Sequence, residues 1–225
     1  MKTMFNFTED QLMMQKMVRE FAEKELAPGV AERDEKEEFS RELFDKAGEL
    51  GLTGICFPEE YGGAGGDYVS YILASEEIAI VDDCMQTGYA ASVSLCAMPI
   101  FNFGSEEQKR KYLVPLAEGS KLGAFGLTEP NAGTDASAQQ TVAVLAGDHY
   151  VLNGSKIFIT NAGSAEIYVV FAMTDKSKGV KGISAFILEK DMPGFSFGKT
   201  EHKMGIRSSL TRELIFQDVK VPVEN

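Results

Sequence analysis

The chain has 225 residues, of which 44% are hydrophobic and 25% are charged, a composition typical of one large or two modest globular domains. Its formal net charge of −12 argues against nucleic acid or an anionic membrane as the main partner, because both recruit clusters of Lys and Arg. The three cysteines lack the spacing of a metal site and predict reduced thiols, so we expect a cytoplasmic protein. The sequence contains no apolar stretch long enough to span a bilayer and no signal-peptide pattern at its first residues.

The first helix is indicated by a capping box, in which Thr8 caps the helix and Gln11 reaches back to it. Apolar residues at helical spacing follow the box, namely Leu12, Val18, Phe21, Ala22 and Leu26. Pro28 is expected to end or bend this helix. The charged residues at 32–38 predict a solvated connection to the next element.

A second helix is predicted from its cap at Ser40 to Gly51, a residue type that commonly ends helices. The glycine cluster at 62–66 follows a short apolar run, a pattern that is sometimes a dinucleotide-binding turn. Its spacing does not fit G-x-G-x-x-G, and no strand–helix–strand alternation follows. A plain loop is therefore the favoured interpretation of this cluster.

Three further helices are predicted over 68–80, 82–103 and 105–119. Asp82 or Asp83 caps the second of these, and small and apolar residues surround it on all sides, which predicts a buried helix. Ser105 and Gln108 form another capping box, which opens the third. Helices thus account for the whole first half of the chain.

From Lys121 onward the apolar pattern changes to a period of two, which is typical of strands. Strands are expected at 141–145, 150–152, 157–161, 168–173, 183–188, 195–197 and 212–219. The first two flank a Gly147-Asp148 turn and predict a hairpin. The predicted fold class is therefore α+β, with an all-α domain at residues 1–120 and an antiparallel β domain at residues 121–225.

Two stretches of the β half have the residue types of a ligand site. An apolar strand at 122–127 enters a turn rich in Pro, Asn, Gly, Thr and Asp, and such turns direct backbone N–H groups at a phosphate or a polar heterocycle. Phe158 and Thr160 lie two residues apart on a predicted strand and share one face. Together they could contact one flat ligand, although Phe158 is also consistent with a core aromatic residue.

Other candidate residues carry weaker signals. Glu129 lies between Thr128 and Pro130, and holding the turn is a more natural role for it than catalysis. His149 and His202 have polar or charged neighbours and predict solvated surface groups, not catalytic bases. No metal-ligand spacing and no Ser/His/Asp set is legible, so we expect no metal. From the residues alone, the chain is a ligand-binding α+β protein.

Several spaced motifs from Phe5 to Asn225 resemble the flavin-dependent acyl-CoA dehydrogenase family, and within it the bacterial short-chain (butyryl-CoA) type. The motifs are Pro58-Glu59-Glu60-Tyr61-Gly62-Gly63, Ser94-Leu95-Cys96 with Pro99, Leu127-Thr128-Glu129-Pro130 with Ala132-Gly133-Thr134-Asp135, Leu152-Asn153-Gly154 with Lys156, Ile159-Thr160-Asn161, Lys203-Met204-Gly205, and Phe216 with Asp218-Val219 and Val221-Pro222. The resemblance covers nearly the whole chain. It implies a helical domain followed by a β-barrel domain.

The resemblance also implies an FAD site. The positions that it assigns to the cofactor are Phe125, Leu127, Thr128, Gly133, Thr134, Phe158, Ile159 and Thr160. Among them, Thr134 is expected to contact the acyl-CoA thioester arm as well, Phe158 to stack on the flavin and Thr160 to hydrogen-bond near N5. Many relatives carry Trp at the stacking position, whereas this chain has no Trp, and Phe retains an aromatic face.

The family reaction converts butyryl-CoA to crotonyl-CoA and passes electrons to an electron-transferring flavoprotein. The resemblance implies that this partner docks on the N-terminal helices, with Met14 and Leu52 as candidate contacts. Ordinary packing is the alternative for both residues. The parent enzyme is expected to be a homotetramer.

Relatives continue past the position of Asn225 with a helical bundle that carries the catalytic glutamate. We therefore expect no catalytic base in this chain and no dehydrogenase activity from it alone. Two alternatives stay open. The chain could be a non-catalytic module that docks a flavoprotein or a separate C-terminal chain. It could also belong to a flavin oxidase or monooxygenase relative, which the similarity to the short-chain type disfavours.

Overall fold

A computed structural model describes residues 6–225, so Phe5, where the resemblance begins, lies outside the described part. The α-helices are α1 (Glu9–Phe21), α2 (Val30–Lys36), α3 (Arg41–Glu49), α4 (Tyr68–Val81), α5 (Asp83–Ala90), α6 (Met98–Phe103), α7 (Glu106–Gln108) and α8 (Val114–Ala117). The strands are β1 (Gly123–Gly126), β2 (Val142–Ala146), β3 (His149–Thr160), β4 (Ile167–Met173), β5 (Ile183–Glu189), β6 (Phe195–Thr200) and β7 (Thr211–Pro222). The predicted order of a helical part followed by a sheet part is confirmed.

Helix α1 begins at the predicted capping box. The Gln11 N–H donates to Thr8 Oγ1 over 3.2 Å, and the Thr8 N–H donates to Gln11 Oε1 over 3.0 Å. Val18 and Phe21 are buried as expected, but Leu12 is 49% exposed, so its predicted place on the buried stripe is wrong. Gln11 is buried instead, because its amide reaches Asp67 of the loop before α4 over 2.9 Å.

The charged stretch at 32–38 was predicted as a connection, and this prediction is wrong. Residues Val30–Lys36 form α2, which has no buried residue. The Lys36–Glu32 pair one turn apart, at 2.5 Å, is the kind of contact that stabilises an exposed helix. Charge alone therefore does not distinguish a solvated loop from a solvated helix.

The next elements follow the prediction closely. Ser40 Oγ accepts from the Leu43 N–H at the start of α3, and Gly51, at φ 75°, follows its end. The glycine cluster is a loop, as favoured above. A Cβ at Gly63 would lie 2.0 Å from the Phe57 carbonyl oxygen, so glycine is required there by close backbone approach.

The predicted long helix is continuous through α5, a π-helical segment at Ala91–Ala97 and α6. Asp82 caps it by accepting from the Met85 N–H over 2.9 Å. It is not buried all round, however, because Leu95 is 45% and Phe103 87% exposed. The expectation of complete burial is therefore wrong for these two positions.

The sheet has seven strands, in the order β1-β4-β2-β3-β7-β6, with β5 paired to β4. The strands predicted at 150–152 and 157–161 are one strand, β3, whose pairing with β7 is interrupted by two register shifts. Pairing is not antiparallel throughout, because β4 pairs with β1 and, at one position, with β2 in parallel. The chain reaches β4 from β1 through the long β2–β3 segment, a connection that permits parallel pairing.

Helices and sheet share one buried core, and polar contacts join them at β1. The Gly123 N–H donates to Ser92 Oγ over 2.9 Å. The buried Asn161 amide donates to the carbonyls of Gly88 and Gly123 over 2.8 and 2.9 Å. A Cβ at Gly123 would lie 2.7 Å from the Cβ of Cys96, so the first strand lies directly against the π-helical segment. Within residues 6–225, no helix is long and apolar enough to cross a membrane.

Candidate functional site

The turn after β1 is closed by two backbone hydrogen bonds. Glu129 and Ala132 exchange N–H···O bonds of 3.1 Å each, which places Pro130 and Asn131 at the tip. Beyond the buried Ala132, residues Gly133 and Thr134 are exposed. No atom lies within 4 Å of the position of a Cβ at Gly133, so a ligand can approach the backbone there.

Under this turn lies a buried ion pair between Glu129 and Lys156, with Nζ and Oε1 2.7 Å apart. Glu129 is 5% and Lys156 0% exposed. Glu129 also accepts from the backbone N–H groups of Gln140 and Thr141. The prediction that Glu129 holds the turn agrees with these contacts. The sequence analysis missed its partner, although a lysine beside an apolar run on a strand needs a buried acceptor.

Lys156 makes three contacts in all. Besides Glu129, its Nζ donates to the Leu127 carbonyl over 3.1 Å and to Gln139 Oε1 over 3.0 Å. Gln139 is itself buried. The ammonium group on β3 is therefore bonded to both ends of the 127–141 loop, and all three of its protons have acceptors.

Burial and hydrogen bonding shift the pKa of Glu129 in opposite directions, and they do the same for the pKa of Lys156. Burial by itself raises the pKa of the Glu129 carboxyl, but hydrogen bonds from Gln140, Lys156 and Thr141 hold it below its ordinary value. Burial lowers the pKa of the Lys156 ammonium, and the adjacent Glu129 carboxylate offsets part of that shift.

Phe158 has an unusual backbone conformation. Its φ is 59°, in the left-handed region that bulky residues rarely adopt, and it falls where the β3–β7 register shifts between Lys156 and Ile159. Its side chain is 66% exposed, which rules out the core-aromatic alternative. Phe158 is exposed and Thr160 is half-buried, with the buried Ile159 between them. The register shift at Phe158 interrupts the regular alternation from which a shared face is predicted, so that expectation stays a prediction.

The turn and this part of β3 are adjacent. The Ile157 N–H donates to the Thr128 carbonyl over 2.8 Å, next to the Lys156 bond to Leu127. The structure therefore brings the two predicted stretches side by side, and the surface formed by the 127–134 turn and residues 158–160 is called the crevice below. Ile159 is 3% exposed, so a ligand in the crevice would meet its backbone and not its side chain.

Phe125 has different surroundings. It packs edge-on against Phe171, with ring centroids 5.3 Å apart. Both rings line an apolar groove of about 360 Å³ between α6 and the sheet, and Phe103 also lines it. Sequence reasoning missed this groove, because Phe171 and Phe103 are distant from Phe125 along the chain.

The two candidate partner contacts differ in exposure. Met14 on α1 is half-buried. Leu52 is only 1% exposed, and its carbonyl accepts from the Tyr89 hydroxyl over 2.9 Å. The packing alternative therefore describes the Leu52 side chain, which offers no surface to another protein.

Both histidines have a carboxylate within hydrogen-bonding distance. His149 Nδ1 lies 2.9 Å from Asp148, and His202 Nδ1 lies 2.6 Å from Glu37. Residues 6–225 contain no cluster of His, Cys, Asp and Glu with the arrangement of a metal site.

Replacing Lys156 by Met is expected to lower the free energy of unfolding by about 3–5 kcal/mol, because it leaves the Glu129 carboxylate buried without its cation. The double variant K156M/E129Q is expected to recover part of the loss. Urea unfolding of the three chains measures both effects. Lys46→Met is the matched control, since Lys46 pairs with Glu25 at the surface, where a pair contributes about 1 kcal/mol or less.

Titration gives a second measurement of the same pair. The lowered pKa of Glu129 means that its contribution is complete above the ordinary value of 4.5 and is lost as the pH falls through the folded-state value. The stability gap between wild type and E129Q is therefore expected to shrink below pH 4.5. In the urea experiment, the prediction for the ion pair would be contradicted if K156M lowered the free energy of unfolding by no more than K46M does.

Family models cover both halves of the chain. Residues 8–120 match the acyl-CoA dehydrogenase N-terminal domain, and residues 124–219 match the acyl-CoA dehydrogenase middle domain. Curated short-chain-specific acyl-CoA dehydrogenases match over 98% of this chain at 61–62% identity, and the chain spans 58–59% of their length.

Solved structures give the same result. A chain from a structure described as the electron-transferring flavoprotein of Acidaminococcus fermentans is 67% identical, with a TM-score of 0.97 over 98% of this chain and 58% of that one. Butyryl-CoA dehydrogenase from Megasphaera elsdenii is 61% identical, with a TM-score of 0.95 over 98% of this chain and 59% of that one. An acyl-CoA dehydrogenase complexed with FAD from Bacillus anthracis is 43% identical, with a TM-score of 0.91 over 98% and 38%. The chain therefore belongs to the acyl-CoA dehydrogenase family.

Proposed function

We propose that the crevice between the 127–134 turn and the 158–160 segment holds the isoalloxazine ring of FAD. The observation that carries this proposal is the exposed Phe158 in a left-handed conformation, beside a turn with open backbone groups. Backbone strain of this kind costs about 1–3 kcal/mol and is found mainly where a ligand or catalytic function requires it. An exposed aromatic ring gains most when a flat apolar ligand covers it.

The residues of the crevice match the parts of a flavin. Phe158 offers a face for stacking, while the hydroxyls of Thr128 and Thr160, both half-buried, can hydrogen-bond to the polar edge of the ring. Gly133 and Thr134 lie on the open side of the turn, where backbone N–H groups suit a pyrophosphate. FAD when bound supplies the acceptor for a hydride, which no side chain can provide.

We further propose that the reaction is α,β-dehydrogenation of a short-chain acyl-CoA, with butyryl-CoA converted to crotonyl-CoA. The names of the short-chain-specific and butyryl-CoA relatives support this substrate class. Thr134, exposed at the edge of the turn, is the candidate contact for the thioester arm. The exposed Leu95 and Phe103 and the groove beside Phe125 provide apolar surface for a short acyl chain.

We do not assign the base that removes the α-proton to any residue of this crevice. Glu129 directly follows Thr128 in the turn, but its two carboxylate oxygens already accept hydrogen bonds from Lys156 and from two backbone N–H groups. A buried, paired carboxylate with a lowered pKa is a poor proton acceptor. Its role in the proposed site is structural.

We also propose an electron-transferring flavoprotein as the redox partner, docked on the N-terminal helices near Met14. The solved structure described as an electron-transferring flavoprotein, which includes a chain 67% identical to this one, supports that partner. Leu12 and Met13 on α1 add exposed apolar surface nearby.

We place the reaction in the cytoplasm, in keeping with three free cysteines, and propose a homotetramer for the parent enzyme.

Flavin retention tests the cofactor site. The purified chain, incubated with FAD and desalted, is expected to keep close to one flavin per chain, measured by visible absorbance per mole of protein. Phe158→Ala is expected to weaken FAD binding about tenfold, or about 1.4 kcal/mol, because the stacking face is lost. Titration followed by flavin fluorescence measures the dissociation constants.

Two controls accompany this test. Phe158→Trp keeps an aromatic face and should bind FAD as tightly as wild type or more tightly. Val144→Ala removes an equally exposed apolar side chain from β2 and should change nothing. Wild-type affinity in Phe158→Ala would contradict the stacking role, and no saturable binding by wild type would show that this crevice is not a sufficient FAD site.

The FAD-loaded chain by itself is expected to show no turnover of butyryl-CoA with an artificial electron acceptor, because Glu129 is not available as a base. Formation of crotonyl-CoA is measured by mass spectrometry over hours. Saturable turnover at a few per second, ordinary for an enzyme, would contradict the prediction. If such turnover occurred, its persistence in E129Q would place the base elsewhere in the chain.

Pull-down with an electron-transferring flavoprotein tests the partner surface. Met14→Glu is expected to reduce binding at least tenfold, because a carboxylate would replace an apolar contact on α1. Met204→Glu changes a fully exposed methionine on the loop between β6 and β7 and serves as the matched control. Equal binding by the two variants would remove Met14 from the docking surface.

A further inference from the structure

Lys156 is the residue whose contacts the proposed function leaves unexplained. It is buried without exposure, yet it lies two residues before the exposed Phe158 on the same strand. Replacing a buried ion pair by well-packed apolar residues is often neutral or stabilising, so stability alone does not account for a cation at this depth. Its bonds therefore indicate what it does.

Those bonds close the base of the loop that carries the turn. Nζ contacts the Leu127 carbonyl where β1 ends, the Glu129 carboxylate in the turn, and the Gln139 side chain where the loop returns to the sheet. Glu129 extends the set to the Gln140 and Thr141 N–H groups. The loop from 127 to 141 is thus bonded at both ends to one point on β3.

The same point fixes the relation of the loop to Phe158. Between Lys156 and Phe158 stands Ile157, whose N–H donates to the Thr128 carbonyl over 2.8 Å. The Lys156 side chain therefore hydrogen-bonds to the Leu127 carbonyl, and the Ile157 backbone N–H hydrogen-bonds to the next carbonyl, that of Thr128. Because the register shift of β3 begins directly after Lys156, the bond to Leu127 also fixes the strand where its conformation departs from the regular ladder.

We propose that Lys156 is a positioning residue for the flavin, holding the Thr128 side of the crevice at a fixed separation from Phe158. This inference rests on the proposed function, since the crevice matters only if it holds the ring. Lys156 does not itself face the crevice, being covered completely by protein. It acts through the Leu127 and Thr128 backbone and through the conformation of Phe158.

The test separates positioning from stability with K156M/E129Q, in which no charge is left buried and unpaired. Two quantities are measured in this variant. Amide hydrogen exchange of residues 128–134, recorded without FAD, is expected to speed up at least tenfold while exchange in β4 is unchanged. The dissociation constant for FAD is expected to rise at least tenfold, even where urea unfolding shows recovered stability.

A milder variant guards against misfolding. Gln139→Met removes one of the three acceptors of Lys156 and keeps the ion pair and the approximate volume, and it is expected to raise both quantities about threefold. Lys111→Met is the matched control, because it removes another lysine–glutamate pair that involves a β-domain residue, Glu189, and should change neither quantity.

Unchanged loop exchange in the folded double variant and in Gln139→Met overturns the inference. Faster loop exchange with an unchanged FAD dissociation constant overturns it as well, since the loop would then move without consequence for the ring. If the wild-type chain binds no FAD, the proposed cofactor site fails. The exchange data, which need no FAD, then decide separately whether Lys156 holds the loop.

Discussion

The buried pair of Lys156 and Glu129 is the contact on which the candidate site depends. Two charges removed from water destabilise a fold unless each finds its partners, and here every proton of the ammonium and both carboxylate oxygens are bonded. The partners include the backbone at both ends of one loop. The same hydrogen bonds therefore satisfy the two buried charges and hold the 127–141 loop in place.

A second set of polar contacts joins the helices to the sheet. The buried Asn161 amide bonds carbonyls of α5 and β1, and Ser92 accepts from the first N–H of β1. Asn161 directly follows Thr160, so the strand that carries the proposed flavin contacts also carries the link to the helices. The residues that carry the proposed flavin contacts are therefore next in the chain to buried polar contacts.

The proposed site also has exposed residues that lie outside the core. Phe158 stands out from the sheet in a left-handed conformation, and Gly133 leaves open space beside the turn. Neither feature contributes to the core, and the Phe158 backbone costs stability. The proposed FAD site explains both, because a flat ring would cover the aromatic face and a pyrophosphate would meet the open backbone.

Sequence by itself determined the order of helices and strands and the capping boxes at Thr8 and Ser105, because caps and apolar periodicity are local. It did not distinguish helix α2 from a solvated loop, since an exposed helix has no apolar periodicity. Only the tertiary structure decided the parallel pairing of β1, the burial of Lys156 against Glu129, and the exposure of Phe158. Each of these depends on which distant segment lies alongside, and no local pattern encodes that choice.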